Sequence, residues 1–296
     1  PPPPPTPPPP TTTPSSNRRQ RQMCIRDSLR HYLKTSIEWP SKMTKSNPIK
    51  HPQTALVIGA SRGIGLAITR SLLARTQTGK VYASYRNTDS ADELLSINDK
   101  RLLTCKLDVC NTEDIQRLAE KIKQNEDQPD FVIHCAGILH EAGVAPEKSL
   151  GQCDKDAISR VFEVNSIAPL MLAKAIIPLM PRRGLTHFTV LSAMVGSISD
   201  NRLGGWYAYR ASKAALNQFM RTLSIECRRS HPGLCVTAIH PGTTDTALSR
   251  PFQANVKEGK LYTPQLSASR ILDVVFESTA EQSGQFVNWD GKPIPP

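Results

Sequence analysis

Tyr209 and Lys213 stand four residues apart in the segment Tyr-Ala-Tyr-Arg-Ala-Ser-Lys. On a helix that spacing is one turn, so a phenol and an ammonium share a face. A free phenol titrates near 10, too high to exchange protons readily at neutral pH, and a neighbouring cation favours its ionised form. The pair could therefore hand a proton to an oxygen that is gaining electrons. Alone it means little, because chance gives about one Y-x-x-x-K in three chains of this composition. Tyr207 is the rival phenol, but no lysine follows it at the same spacing, and lining a pocket is the role expected of it.

A second constellation lies upstream, in Gly59-Ala60-Ser61-Arg62-Gly63-Ile64-Gly65, between an apolar run and a stretch of helical period. Glycines at 59, 63 and 65 let the backbone turn sharply, approach a pyrophosphate, and bring a helix close to a sheet. Free N–H groups at the start of that helix would face the phosphates. The spacing is G-x-x-x-G-x-G, not the G-x-G-x-x-G of many dehydrogenases. NAD sites place an acid about 20 residues further on, against the ribose 2′-hydroxyl. Here that region reads Ser84-Tyr85-Arg86-Asn87, without an acid, and Arg62 adds a second cation. Two guanidinium groups suit a 2′-phosphate, so NADP(H) is expected in preference to NAD(H).

The elements that must position these residues read as an alternation. Strand-like runs cover 54–60, 80–86, 102–109, 130–137, 185–192, 234–240 and 284–289. Helix-like stretches lie near 64–75, 89–97, 112–124, 154–180, 207–228 and 264–279. Continuous apolar strands alternating with helices predict a Rossmann-type α/β fold, a doubly wound parallel sheet of about seven strands covered on both faces. Within 154–180, apolar residues at 158, 161, 162, 168 and 172 mark a buried helix face that also contains Asn165. Pro169, four residues later, has no N–H, so the Asn165 carbonyl loses its helical partner and is free for a water.

Composition narrows the function classes. The chain is 39% apolar over 296 residues, ample for one core of this size. Residues 1–42 hold 11 of the 25 prolines and a net charge of +5, leaving +6 of the total +11 for residues 43–296. Almost half of the basicity thus belongs to a low-complexity leader, and no nucleic-acid partner is expected. Residues 1–42 read as a disordered or artefactual tail. The segment RRQRQMCIRDS resembles read-through of a sequencing adapter. An organelle transit peptide is the alternative, against which the oligoproline start argues. Met43 is the expected start of a single domain, 43–296. Seven cysteines without a Cys-x-x-Cys pair fit a reducing compartment, with no metal site expected. No uninterrupted apolar run reaches the roughly 18 residues that span a bilayer, so a cytoplasmic protein without a membrane partner is expected.

With these motifs in order, residues 52–296 resemble the short-chain dehydrogenase/reductase family. The likeness is nearest to the subgroup of C-factor-like and sniffer-like carbonyl reductases. It rests on the glycine turn, Asp108-Val109, Ala136-Gly137, Asn165, the Tyr209/Lys213 pair and Pro241-Gly242, and above all on Ser199–Lys213 and Asn288-Trp289-Asp290-Gly291. It implies a reductase transferring hydride to an aldehyde or ketone, with Tyr209 as proton donor. Lys213 would tune that phenol and hold the nicotinamide ribose, and Asn165 would hold a water of the proton relay. Cofactor contacts are implied for Gly59, Ser61, Arg62, Gly63, Ile64, Gly65, Arg86, Asp108, Val109, Ala136, Gly137, Pro241, Gly242, Thr243 and Thr246. Thr243 and Thr246 would meet the carboxamide, and 243–263 would form a substrate lid with Leu248, Phe252 and Tyr262 as its apolar members, faced by Trp206 and Tyr207. That lining implies an apolar or aromatic small-molecule carbonyl. Assembly as a homodimer or homotetramer through 154–180 and 207–228 is implied too.

Two departures from the family pattern matter. Its usual Ser-Ser is Ser192-Ala193 here, so the hydroxyl expected on the substrate is that of Ser192, with Ser197 as the alternative. Its usual Asn-Asn-Ala-Gly is His134-Cys135-Ala136-Gly137, where His134 is expected to be structural. A cofactor-binding regulatory protein with little turnover is the alternative function, and Ala193 favours it.

Overall fold

The apolar runs form strands whose two faces are both covered, which explains why they do not alternate. In the computed structural model the described residues are 51–296, and they belong to one unit. The expectations for residues 1–42 lie outside the described residues. The elements run β1 (Thr54–Ile58), α1 (Gly63–Leu73), β2 (Lys80–Tyr85), α2 (Asp92–Leu95), β3 (Leu102–Lys106), α3 (Thr112–Gln124) and β4 (Phe131–His134). Then follow α4 (Lys155–Phe162), α5 (Ala168–Ile176), β5 (Thr186–Leu191), α6 (Tyr207–Ser230), β6 (Leu234–His240), α7 (Pro264–Glu277) and β7 (Gln285–Asn288).

All neighbouring strands are parallel, in the order β3-β2-β1-β4-β5-β6-β7. The chain fills one side of β1 and then crosses to the other with β4. A crevice therefore opens at the carboxyl ends of β1 and β4, where the winding reverses. One sheet face carries Leu56, Val132 and Phe188 against Leu172 of α5 and Leu216 of α6. The opposite face carries Val57 and Ile133 against Ile68 of α1 and Ile271 of α7.

Two predicted helices differ from expectation. The stretch 89–97 yields only a 3-10 turn, Thr88–Ser90, and the four-residue α2. Only Ala91 and Leu94 find burial there, too little apolar surface to hold a longer helix. The stretch 154–180 is interrupted by a π-helical turn, Glu163–Ile167, in which the Ala168 N–H reaches back to the Glu163 carbonyl. By length and composition Lys155–Leu179 could cross a membrane, but its apolar side is taken up by the core, where Leu172, Ala173 and Ile176 have no exposure.

Candidate active site

The turn between β1 and α1 is shaped by what a Cβ would strike. At Gly65 it would fall 2.1 Å from the Gly59 carbonyl oxygen, and at Gly59, with φ +78, 2.8 Å from the Ala136 nitrogen. Gly59 N–H donates to Ser84 Oγ at 3.0 Å and Ala60 N–H to the Ser84 carbonyl at 2.7 Å. Those bonds fasten the turn to β2 two residues before Arg86. No acid stands in the first turn of α1, so its N–H groups face the crevice uncontested. Arg62 and Arg86 are both exposed, and neither guanidinium group has a hydrogen-bond or ion-pair partner among the described residues. A pyrophosphate cradle made of backbone with two free guanidinium groups at its rim fits a 2′-phosphorylated dinucleotide. Asp108 and Val109 follow β3 beside an open cleft of about 450 Å³. There the Asp108 carboxylate accepts from the Cys110 N–H at 3.0 Å.

At the other end of the crevice, Gly137 lets two groups meet. A Cβ on it would lie 3.2 Å from Asn165 Oδ1 and 3.6 Å from Lys213 Nζ. Asn165 is fully buried in the π-helical turn, which places its side chain across the loop after β4. Its Oδ1 accepts from the Ile138 N–H at 2.9 Å, while its Nδ2 donates to the Ile138 carbonyl at 2.8 Å and to Ser212 Oγ at 3.2 Å. Ser166 Oγ donates to the Ser212 carbonyl at 2.8 Å. These bonds lock the π-helical turn against the helical turn that carries Tyr209 and Lys213.

Lys213 Nζ donates to the Leu191 carbonyl at 2.8 Å and lies 5.8 Å from the centre of the Tyr209 ring. Both side chains are buried, and burial governs their titration. It pushes the Tyr209 phenol up from its ordinary value and the Lys213 ammonium down to about 8. The Lys213 ammonium bonds a carbonyl rather than the phenol, so in this geometry desolvation, and not the neighbouring charge, sets the direction of the Tyr209 shift. His134 stays neutral, pushed down to about 3 first by burial and then by the Lys213 charge. Ala136, Gly137, Pro241, Gly242 and Thr243 are half-buried along the same crevice.

Ser192 requires a correction. Its hydroxyl donates to Asn217 Oδ1 at 2.6 Å, and its side chain is buried beneath α6. The proton expected to reach a substrate is thus committed elsewhere. Strand alternation sends Ser192 towards α6 and the half-buried Ala193 the other way. Ser197 is buried as well, and its oxygen accepts from the Asp200 N–H at 3.2 Å.

The lid is pinned at both ends. Tyr262 N–H donates to the Thr243 carbonyl and Asp245 N–H to the Tyr262 carbonyl, each at 2.8 Å. Tyr262 is not a substrate-facing member, a second correction. It packs edge-on to Trp289 at 5.6 Å, with the Arg270 guanidinium 4.4 Å from its own ring centre and 4.0 Å from that of Trp289. Gly242, with φ +78, leaves room for it, since a Cβ there would fall 2.7 Å from the Tyr262 ring. Thr246 reaches the glycine turn, its methyl 3.2 Å from where a Gly63 Cβ would be. Phe252 does face the crevice, edge-on to Trp206 at 5.2 Å, and Trp206 is edge-on to Tyr209 at 6.2 Å.

Sequence reasoning missed Asn217, His140 and Glu147. Asn217 lies one turn beyond Lys213, a legible spacing. His140, whose Nε2 lies 3.2 Å from the Ala247 and Leu248 carbonyls of the lid, gave no local signal. Nor did Glu147, whose carboxylate caps α6 from 61 residues away.

Comparison with known proteins agrees with the fold. The short chain dehydrogenase family matches residues 53–257. The 1-hydroxy-2-glutathionyl-2-methyl-3-butene dehydrogenase of Rhodococcus sp. (strain AD45) is 31% identical over 80% of this chain and 97% of its own. The carbonyl reductase Sniffer of D. melanogaster superposes with a TM-score of 0.74 at 25% identity, covering 83% of this chain and 100% of its own. The NADPH-bound carbonyl reductase from chicken fatty liver superposes with a TM-score of 0.73 at 28% identity, covering 84% of this chain and 96% of its own.

Proposed function

The chain belongs to the short-chain dehydrogenase/reductase family of oxidoreductases, and from that premise we propose that it is an NADP(H)-dependent carbonyl reductase with Tyr209 as proton donor. The observation that carries the reading is the meeting of Asn165 Oδ1 and Lys213 Nζ at the bare Gly137, one helical turn from the Tyr209 phenol. A pure binding module has no use for that set.

The reduced nicotinamide supplies the hydride when bound, and Arg62 with Arg86 hold its 2′-phosphate. Tyr209 gives its phenolic proton to the carbonyl oxygen, and burial keeps that proton in place until the oxygen becomes basic. Lys213 stabilises the phenolate left behind. Asn165 holds Ile138, and through it the backbone of Gly137, at the floor of the site. Phe252 and Trp206 supply an apolar wall for an apolar or aromatic carbonyl. Ile167 and Ile225, 45% and 49% exposed, supply apolar surface for a homodimer or homotetramer.

NADPH oxidation with a panel of aldehydes, quinones and diketones tests the reading, alongside NADH. Turnover that depends on Tyr209 and prefers NADPH is expected. The commitment of Ser192 to Asn217 favours a second reading, a cofactor-binding regulatory protein. Tight NADPH binding with no turnover of any carbonyl would select it.

A further inference from the structure

Trp206 adopts a backbone conformation that bulky side chains rarely take, and Glu147, remote in sequence, holds it there through its main-chain carbonyl while its buried carboxylate holds the following turn at Ala208. Gly204, Gly205 and Trp206 are three successive left-handed residues, with φ of 65, 65 and 52. The Trp206 N–H donates to the Glu147 carbonyl. The Glu147 carboxylate oxygens accept from the Ala208 N–H at 3.3 and 3.2 Å. Gly205 is pressed against the same residue, a Cβ there falling 3.2 Å from the Glu147 carbonyl oxygen. Glu147 is only 4% exposed, and it has no ion-pair partner among the described residues. A carboxylate is costly to bury unpaired, and the amino terminus of α6 compensates it. Strained backbone of this kind gathers at functional sites because the surroundings over-determine it.

What the strain fixes is the indole. Its ring stands edge-on to Tyr209 at 6.2 Å and to Phe252 at 5.2 Å, and Phe252 continues edge-on to His140 at 5.7 Å. Four rings from the β4 loop, the start of α6 and the lid thus make one wall ending on the catalytic phenol. His140, Trp206 and Phe252 are each half-buried, so none belongs to the core. Rings held edge-on to one another keep faces for a further flat π-system at 4.5–7 Å, an interaction a saturated chain cannot return.

We propose that Trp206 is a specificity-determining residue that receives the flat, conjugated part of the carbonyl substrate, and that Glu147 is the positioning residue that sets it. This rests on the reductase reading and names the substrate class within it.

The full chain, Trp206→Ala, Glu147→Ala and Glu147→Gln are compared on 4-nitrobenzaldehyde and phenanthrenequinone against hexanal, with NADPH. The ratio of kcat/KM for flat over saturated carbonyls is expected to fall at least tenfold in Trp206→Ala and Glu147→Ala. Glu147→Gln, which keeps an oxygen acceptor for Ala208, is expected to restore most of it. Equal losses on both substrate classes, or a glutamine variant as poor as the alanine one, would overturn the proposal. Equilibrium dialysis of phenanthrenequinone against the protein with NADP decides independently of turnover. A Kd raised at least tenfold in Trp206→Ala supports the wall, and an unchanged Kd overturns it. Should the unaltered chain bind the quinone yet oxidise no NADPH with any carbonyl, the reductase reading fails while the dialysis result still stands. If Glu147→Ala does not fold, Glu147→Gln and Trp206→Phe carry the comparison.

Discussion

At the phosphate end of the crevice the working surface is backbone. Gly63 and Gly65 contribute N–H groups and an absence of side chain, and Ser84 fastens the turn from the next strand through the N–H groups of Gly59 and Ala60. At the catalytic end the working surface is side chain, each group held by a partner from another part of the chain. Asn165 is held by Ile138, Lys213 by Leu191, Ser192 by Asn217, and the first turn of α6 by Glu147. A site made of backbone tolerates almost no substitution but needs few partners. A site made of side chains can lose or exchange a group, as Ala193 shows, and keep its frame. Binding and chemistry should therefore separate under mutation.

The sharpest break comes from Tyr209→Phe. If Tyr209 is the proton donor as proposed, its removal should lower kcat by about 10²–10⁴-fold. The NADPH dissociation constant, read by cofactor fluorescence, should stay near that of the unaltered chain. If NADPH affinity falls as steeply as kcat, the two ends are one cooperative unit and the contrast fails.

The same contrast explains what could be read before the structure. Gly59–Gly65 was legible because a turn, a cradle and a helix start are local properties of seven consecutive residues. Asn165 was legible for a similar reason, since Pro169 lies four positions away and forces the irregularity that became the π-helical turn. The Ser192–Asn217 bond joins residues 25 apart, and the bond from Ala208 to Glu147 spans 61. No periodicity encodes such pairs; they exist only once β5, α6 and the β4 loop have packed. Tyr262 was misassigned because its aromatic character suits a lid as well as an anchor. Only the docked carboxyl-terminal segment, with Trp289 and Arg270, decides between them. The raised phenol and lowered ammonium were missed because spacing reports a neighbour's charge and not the water removed from around it.

A test of the phosphate end alone is Arg62→Ala with Arg86→Ala. Each charge-assisted bond to a phosphate is worth about 1.5–3 kcal/mol, less at an exposed rim. NADPH affinity should drop about 10–100-fold, with NADH affinity nearly unchanged. Equal losses for both cofactors would remove the 2′-phosphate from the account.

Lys213 gives a pH signature to the catalytic end. Its folded-state value of about 8 lies below the ordinary 10.5, so the ammonium is complete below pH 8 and lost as pH rises through it. Reduction at saturating NADPH should then fall about tenfold per pH unit above 8. Between about 8 and 10.5 the unfolded chain binds more protons at this group, so its contribution to stability rises with pH. Titration of Lys213 therefore does not itself destabilise the fold, and thermal melts across the same range should not mirror the fall in activity. Lys213→Arg keeps its charge throughout. That variant should lose the alkaline fall even if its rate is lower; a fall at the same pH would assign the titration to another group.

Ala193→Ser should have the smallest effect and speaks most directly to how the catalytic end tolerates exchange. Ala193 has extended backbone, φ −149 and ψ 148, which a serine adopts without strain. It is half-buried and, by alternation, turned away from α6, so the new hydroxyl would not compete with Ser192 for Asn217. A neutral hydroxyl donor to the carbonyl oxygen is worth about 0.5–1.5 kcal/mol, which is about two- to tenfold in kcat/KM. A rate that rises within that range would mean that Tyr209 works alone in the native site with room for a second donor. A collapse would mean that Ser192 already reaches the substrate by releasing Asn217, and that the new hydroxyl blocks it. Pairing the substitution with Asn217→Ala separates these outcomes: in the first case the gain from Ala193→Ser survives, and in the second Asn217→Ala alone keeps or raises activity by freeing Ser192 while Ala193→Ser loses it.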